Sequence, residues 1–409
     1  MNILFEKEGT YSLRGICMLM IIASHIPYTM NNSTTSIILH YLLFDHWGAF
    51  GYEYQQGIVS LYLPDGKIFE NLTAKIKWRD ATTNTENTHK RNYTIKFNED
   101  QQFLGLRKDN KWILDAGNAD VFRLRNRIAT ELWNDMAHKP YYYTQEPKAI
   151  SGVRGQVVEV YLNDEYMGIY SLTECKDRKQ LKLKKYNKET GEIRGGLWKA
   201  VGWGNTMMWS CESYDNHSET WGEFEVKYPE LDDVPETDYN TLYNAINFVV
   251  NSNDADFISH VNEYFDMPVV IDYYIFLYVL NAYDSRGKNM YWAVYDKTED
   301  KKITIGVWDL DNSIGQRWTD QWIPNASSPD YPFADNMNLY YRLRHLNADI
   351  TDWITRHMQY LDNNVFTATT NISYPSVSKH KTDYYNLNGQ RINTPQKGIY
   401  IWKGKKVKK

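Results

Sequence analysis

Asp284 and Asn289 stand with four residues between them in the stretch NAYDSRGKNMYW (residues 281–292), and Asp309 and Asp311 follow in GVWDLDNSIG. A carboxylate, an amide five positions on and a later strand-borne carboxylate suit phosphoryl transfer. The first Asp orients an acceptor hydroxyl and takes its proton, while the Asn and the later Asp hold magnesium. Magnesium takes hard oxygen ligands and keeps positions for phosphate and water. Taken alone, the Asp-x-x-x-x-Asn spacing carries little weight, because both residues are common where a helix ends in a turn. Its significance depends on what positions the side chains.

Three elements do so. The run DMPVVIDYYIFLYVLNAY (266–283) has Asp266 as N-cap, Pro268 in its first turn and apolar residues nearly all round, which predicts a buried helix that delivers Asp284 just past its end. Two short β-like runs, NMYWAVY (289–295) and KITIGVWDL (302–310), flank the charged turn DKTEDK and predict a hairpin. Folding it about Glu299 sets Asn289 opposite Asp309. Asp311, two residues further, projects from the same face, and a two-residue slip selects Asp311 instead. Upstream, GIVSLYL, AKIKW and KRNYTIKF alternate apolar with polar residues and predict strands. Asp120 is placed to cap a helix carrying Val121, Leu124, Ile128 and Leu132, and VVEVYL and MGIYSL flank NDEY as a second hairpin. The order strands, helix, hairpin fills residues 57–173, and the part from 174 onward reads as mostly helical.

The chain has 409 residues and a formal net charge of -5, so it has no overall electrostatic reason to seek nucleic acid. Its three cysteines, Cys17, Cys175 and Cys211, form no C-x-x-C pair, and no H-E-x-x-H occurs; the common zinc spacings are absent, while a Cys175–Cys211 disulfide stays open. Aromatics make up 15% of residues, with 33 Tyr and 14 Trp, which suits a large core or sugar-contacting surfaces.

The stretches VEVYLNDEYMGIYSLTECKDRKQLKL, DAGNADVFRLRNRIATELW, NAYDSRGKNMYWAVYD and GVWDLDNSIG together resemble the spore-coat-protein-H (CotH) kinase family of atypical, secretion-associated protein kinases, over about residues 57–365. The resemblance implies an α+β, bilobal protein-kinase-like fold, with a strand-rich N-lobe at 57–173 and a mainly helical C-lobe at 174–365. It also implies ATP with Mg (or Mn) and phosphoryl transfer to Ser or Thr of a protein substrate. By motif, Asp284 is similar to the catalytic Asp, Asn289 to a metal ligand and Asp309 to the metal-holding Asp, with Asp311 the alternative. Lys90 and Lys96 are the candidates for the ATP lysine, Glu131 is a pairing partner for it, and Glu174, where a linker to the second lobe falls, is a further nucleotide-site candidate. The family's Arg-Gly-x-Ser-like phosphate loop corresponds here to WRDATTNTENTHKRNYTIKF, with Asp80 in the glycine position, where a carboxylate repels phosphate.

Residues 1–50 read differently. ICMLMIIA (16–23) falls short of the roughly 20 residues of a spanning helix, and the charges around it sum to zero, unlike a signal peptide. LRGICMLMIIASHI resembles the first helix of the type 3 membrane acyltransferases over residues 10–51, which leaves a membrane-associating or mis-joined leader as the expectation. The tail from 366 to 409 resembles the C-terminal segment of secreted or surface-bound bacterial proteins and reads as a small β appendage, so an extracytoplasmic or cell-surface location is expected. Two other functions fit the composition: a kinase-like scaffold that binds partners without catalysis, for which Asp80 argues, and a carbohydrate-binding or carbohydrate-active protein, for which VGWGNTMMW (201–209) argues.

Overall fold

A computed structural model describes residues 52–63, 66–79, 90–120, 122–163, 165–314, 316 and 336–346, together with the backbone of five further strands. Two compact units emerge, residues 1–365 and 366–409.

The first seven strands close into a barrel: β1 (His40–Asp45), β2 (Gln55–Tyr62), β3 (Ile68–Arg79), β4 (Asn92–Gln101), β5 (Asp109–Asp115), β6 (Gly155–Leu162) and β7 (Glu165–Thr173), in the order β1-β2-β3-β4-β5-β7-β6. Alternation along each strand sends one side chain in two inward, so Val59, Ile76, Ile95, Trp112, Val160 and Leu172 meet in one core. Strand β1 belongs to residues assigned above to the 1–50 leader. Its backbone pairs antiparallel with β2 and parallel with β6. Closure of the barrel thus draws on chain before residue 50. The apolar run at 16–23 and Asp80 lie outside the described residues, and among those described no helix is long and apolar enough to cross a membrane.

Helix α1 (Arg125–Met136) crosses between β5 and β6. Its N-cap is Leu124 rather than the expected Asp120, whose carboxylate instead accepts from the Leu124 and Arg125 amides, both at 2.8 Å, from just before the helix. The helix begins at Arg125, four residues later than the sequence suggested, because Arg123 takes a left-handed φ of 60°. On its inner face Trp133 is fully buried against Tyr273 and Phe276.

Among the described residues, the part after residue 174 is not clearly mainly helical, which corrects the expectation. It holds α2 (Asn240–Asn251), α3 (Asp254–Tyr264), α4 (Met267–Leu280) and α5 (Asn338–Leu346), but also a five-stranded sheet. That sheet is built from β8 (Gly196–Ala200), β9 (Thr220–Trp221), β10 (Phe224–Tyr228), β11 (Met290–Asp296) and β12 (Asp300–Val307), in the order β12-β11-β8-β10-β9. The central strand GLWKA is only five residues long and follows a charged excursion, so its pattern is too short to stand out; burial of Trp198 between its neighbours makes it a strand. Helix α4 is buried on nearly every face, as an all-round apolar run demands. It stops at Leu280, where Asn281 turns left-handed at φ 51°. Cys175 and Cys211 are both free thiols.

The second unit carries β13 (Tyr384–Tyr385), β14 (Arg391–Ile392), β15 (Ile399–Trp402) and β16 (Lys405–Lys408) as an antiparallel sheet in the order β14-β13-β15-β16.

Candidate active site

The end of α4 sets the site. After Asn281 the chain makes a tight turn over Tyr283–Ser285, and Asp284 comes to rest 6% exposed. The Tyr273 hydroxyl, one helical face below, donates to the Ser285 carbonyl and holds that turn against the helix. Gly287 follows at φ 66°, where a Cβ would fall 2.3 Å from the Met207 sulfur, so only glycine lets the chain pass. Asn289 then adopts a left-handed φ of 53°, its amide donates to the Ala200 carbonyl at 3.1 Å, and its side-chain Nδ2 donates to Asp284 Oδ2 at 2.9 Å. The Asp-x-x-x-x-Asn stretch is thus a closed loop whose ends are joined by a buried hydrogen bond.

The hairpin returns the second pair of carboxylates, but not in the expected register. Asp296 pairs with Asp300, which centres the turn on Thr298 rather than Glu299, and Met290 pairs with Val307, so Asn289 does not face Asp309 across the ladder. A one-residue slip sends a strand side chain to the opposite face. Asp309 nevertheless reaches the site, because β12 ends at Val307 and Asp309 itself turns left-handed at φ 56°.

Asp284, Asn289, Asp309 and Asp311 line one cleft of about 860 Å³ between the barrel and the second sheet. The barrel side contributes Asp115 at the end of β5 and Asn126 and Arg127 from α1; Arg79, Arg127, Lys199 and Lys288 are its cations. Burial raises the Asp284 carboxyl above the usual carboxylate range, opposed by nearby Lys288, the Asn289 bond and Arg286. Asp311 is raised further: burial comes first, then repulsion from Asp309, Asp115 and Asp284. A crowd of hard oxygen donors, close enough for neighbouring carboxylates to raise Asp311, fits a divalent cation. Among the described residues no three His, Cys, Asp or Glu side chains form a metal cluster by themselves. The donors here are carboxylate and amide, with substrate phosphate left to supply the remainder.

The crowding has a consequence for stability. A carboxyl whose native pKa lies above its unfolded value binds more protons when folded, so its contribution falls as pH rises from the ordinary Asp range through the raised one. Asp311→Asn is therefore expected to raise the melting temperature at neutral pH in the presence of a chelator, and to leave it little changed near pH 4. Thermal unfolding at the two pH values checks this; equal shifts at both would contradict it.

The other expected nucleotide contacts are elsewhere. Lys90 does not line the cleft: its ammonium donates to the Ile169 carbonyl and lies 4.3 Å from the Tyr170 ring centroid, and burial lowers its pKa to about 8. Lys96 is exposed on β4 between buried Ile95 and Phe97, on the outside of the barrel. Glu174 is buried, accepting from the Arg107 amide at 2.7 Å and the Arg154 guanidinium at 2.6 Å. Glu131 pairs with Arg127 at 3.0 Å rather than with a lysine. Among the residues that do face the cleft and went unassigned are Asp115, Asn126, Arg127 and Lys199; of these four, the Asp that ends the apolar run WILD was the one legible signal.

No curated protein matches the chain. Residues 79–396 match the family described as CotH kinase protein, beginning at the cleft residue Arg79 and spanning every cleft residue named above. That match extends over most of the 409 residues, and the chain belongs to the CotH kinase protein family.

Proposed function

We propose that the protein is an atypical Ser/Thr kinase that transfers the γ-phosphate of ATP, with Mg or Mn, to hydroxyls of secreted or surface proteins. The single observation that carries this reading is the gathering of Asp284, Asn289, Asp309 and Asp311 in one cleft of a CotH-family chain. Asp284 orients the acceptor hydroxyl and takes its proton; the Asn289 bond at 2.9 Å keeps the carboxylate aimed. Asn289, Asp309 and Asp311 are the residues that would hold the metal, which when bound neutralises charge on the phosphates. Lys199, Lys288, Arg79 and Arg127 supply positive charge along the same walls, and Ile113, Val153, Val201 and Val307 supply apolar contact for a flat ring. In this reading the barrel half and the mixed half play the parts of the two lobes of a kinase. Membrane association through residues 1–50 and an extracytoplasmic or cell-surface place in a bacterium belong to the same proposal.

A non-catalytic kinase-like scaffold is the second reading, favoured by one observation: neither Lys90, Lys96 nor Glu174 lines the cleft. The two separate on metal-dependent nucleotide binding. ATP with Mn at about 100 times its Kd is expected to stabilise the wild type by about 2.7 kcal/mol, as any ligand confined to the native state does. Asp309→Ala should lose most of that rise in melting temperature. An equal rise in both proteins would remove Asp309 from the metal site.

A further inference from the structure

The geometry points to Asn126 as a positioning residue that sets the Asp309–Asp311 turn for metal and nucleotide. The inference rests on the kinase reading above. Asn126 lies on α1, on the barrel side of the cleft, yet its side chain makes two bonds that reach both walls. Its Oδ1 accepts from the Leu310 amide at 3.2 Å, across 184 positions of sequence, and its Nδ2 donates to Asp115 Oδ2 at 2.9 Å. The orientation is unambiguous: a backbone N–H only donates and an ionised carboxylate only accepts, so the carbonyl end must face Leu310 and the amino end Asp115.

Leu310 is the residue between Asp309 and Asp311, fully buried, and its other peptide group is held as well. The Ser313 hydroxyl donates to the Leu310 carbonyl at 2.5 Å. The turn is therefore gripped on its amide side by α1 and on its carbonyl side by its own continuation. That grip matters because Asp309 sits at φ 56°, a left-handed conformation that a non-glycine residue keeps only where the surroundings impose it. Repulsion of Asp311 by Asp309 and Asp115 loads the same turn. Asn126 opposes both by fixing Leu310 and by donating to Asp115. The second bond also orders Asp115, whose Oδ1 accepts from the Gly117 amide at 2.9 Å.

Asn126→Ala, Asn126→Asp and the double variant Asn126→Asp with Asp115→Asn test this in the full chain. Asn126→Asp keeps an acceptor for Leu310 but puts a carboxylate against Asp115, and the double variant restores a donor between the two positions at unchanged total charge. Two readouts are taken: hydrogen exchange of the Leu310 amide without metal, and the Mn concentration that half-saturates the thermal stabilisation by ATP. Asn126→Ala should exchange Leu310 at least tenfold faster while core barrel amides such as Ile95 keep their protection, and should raise the half-saturating Mn about tenfold. Asn126→Asp should raise it further, and the double variant should return to within threefold of wild type. Unchanged Leu310 exchange in Asn126→Ala, or a double variant no better than Asn126→Asp, overturns the assignment. A wild type that does not respond to ATP and Mn at all refutes the kinase reading and the metal half of this inference together. Leu310 exchange then decides the clamp on its own.

Discussion

Asp284→Asn is expected to leave the melting temperature and ATP affinity close to wild type while lowering phosphate incorporation by about 100-fold or more, the scale on which general-base catalysis contributes. Phosphoryl transfer depends mostly on alignment and charge stabilisation, and in the proposed reading this Asp aligns the acceptor without gripping the nucleotide. Asn has the same shape, and one of its termini can still accept from Asn289 Nδ2, so the buried loop closes as before. What disappears is the ability to take a proton. The substitution also removes a carboxyl that burial already disfavours in its charged form, so at neutral pH a small gain in stability accompanies the lost activity. Were Asp284 only a helix-ending turn residue, activity would follow the amount of folded protein. Transfer rates and unfolding curves measured on the same preparation distinguish the two.

Trp133→Ala should cost about 3–5 kcal/mol of stability, the range for removing a large aromatic from a packed core. Trp133 has no exposed surface, meets Tyr273 and Phe276 of α4 edge-on at 5.6 and 5.2 Å, and its indole nitrogen donates to Ser151 Oγ at 2.8 Å. It ties α1, which carries Asn126 and Arg127, to α4, which delivers Asp284. Trp133→Phe keeps a ring and loses the donor, leaving Ser151 one partner short, and should cost about 1–3 kcal/mol. Denaturant midpoints at constant slope report both losses. A loss under 1 kcal/mol for the Ala variant would mean that this contact does not join the two halves.

The site was legible in sequence where a local pattern forced the geometry, and obscure where distant chain did. Helix α4 announced itself by an unbroken apolar run, so the placement of Asp284 followed from counting to its end. The hairpin was legible as a hairpin but not in register, because its turn centres on Thr298 rather than Glu299 and the alternation of NMYWAVY does not mark that difference. Asp309 arrives by a left-handed turn that no periodicity encodes. Lys96 was drawn by its strand, yet alternation with buried Ile95 and Phe97 puts it on the outer face, a distinction that requires knowing which face closes the barrel. Lys199 was hidden in a five-residue strand at the end of a charged excursion. Asn126 accepts from the Leu310 amide, a partner that lies on another element far along the chain.

The most direct test of the account is incubation of the purified full chain with γ-labelled ATP and Mg or Mn, with casein-like acceptors and, separately, a panel of polysaccharides. The account predicts metal-dependent label on Ser or Thr of protein, abolished by chelator and by Asp309→Ala, with no binding or cleavage of the polysaccharides. No label on any acceptor, the protein itself included, would contradict it.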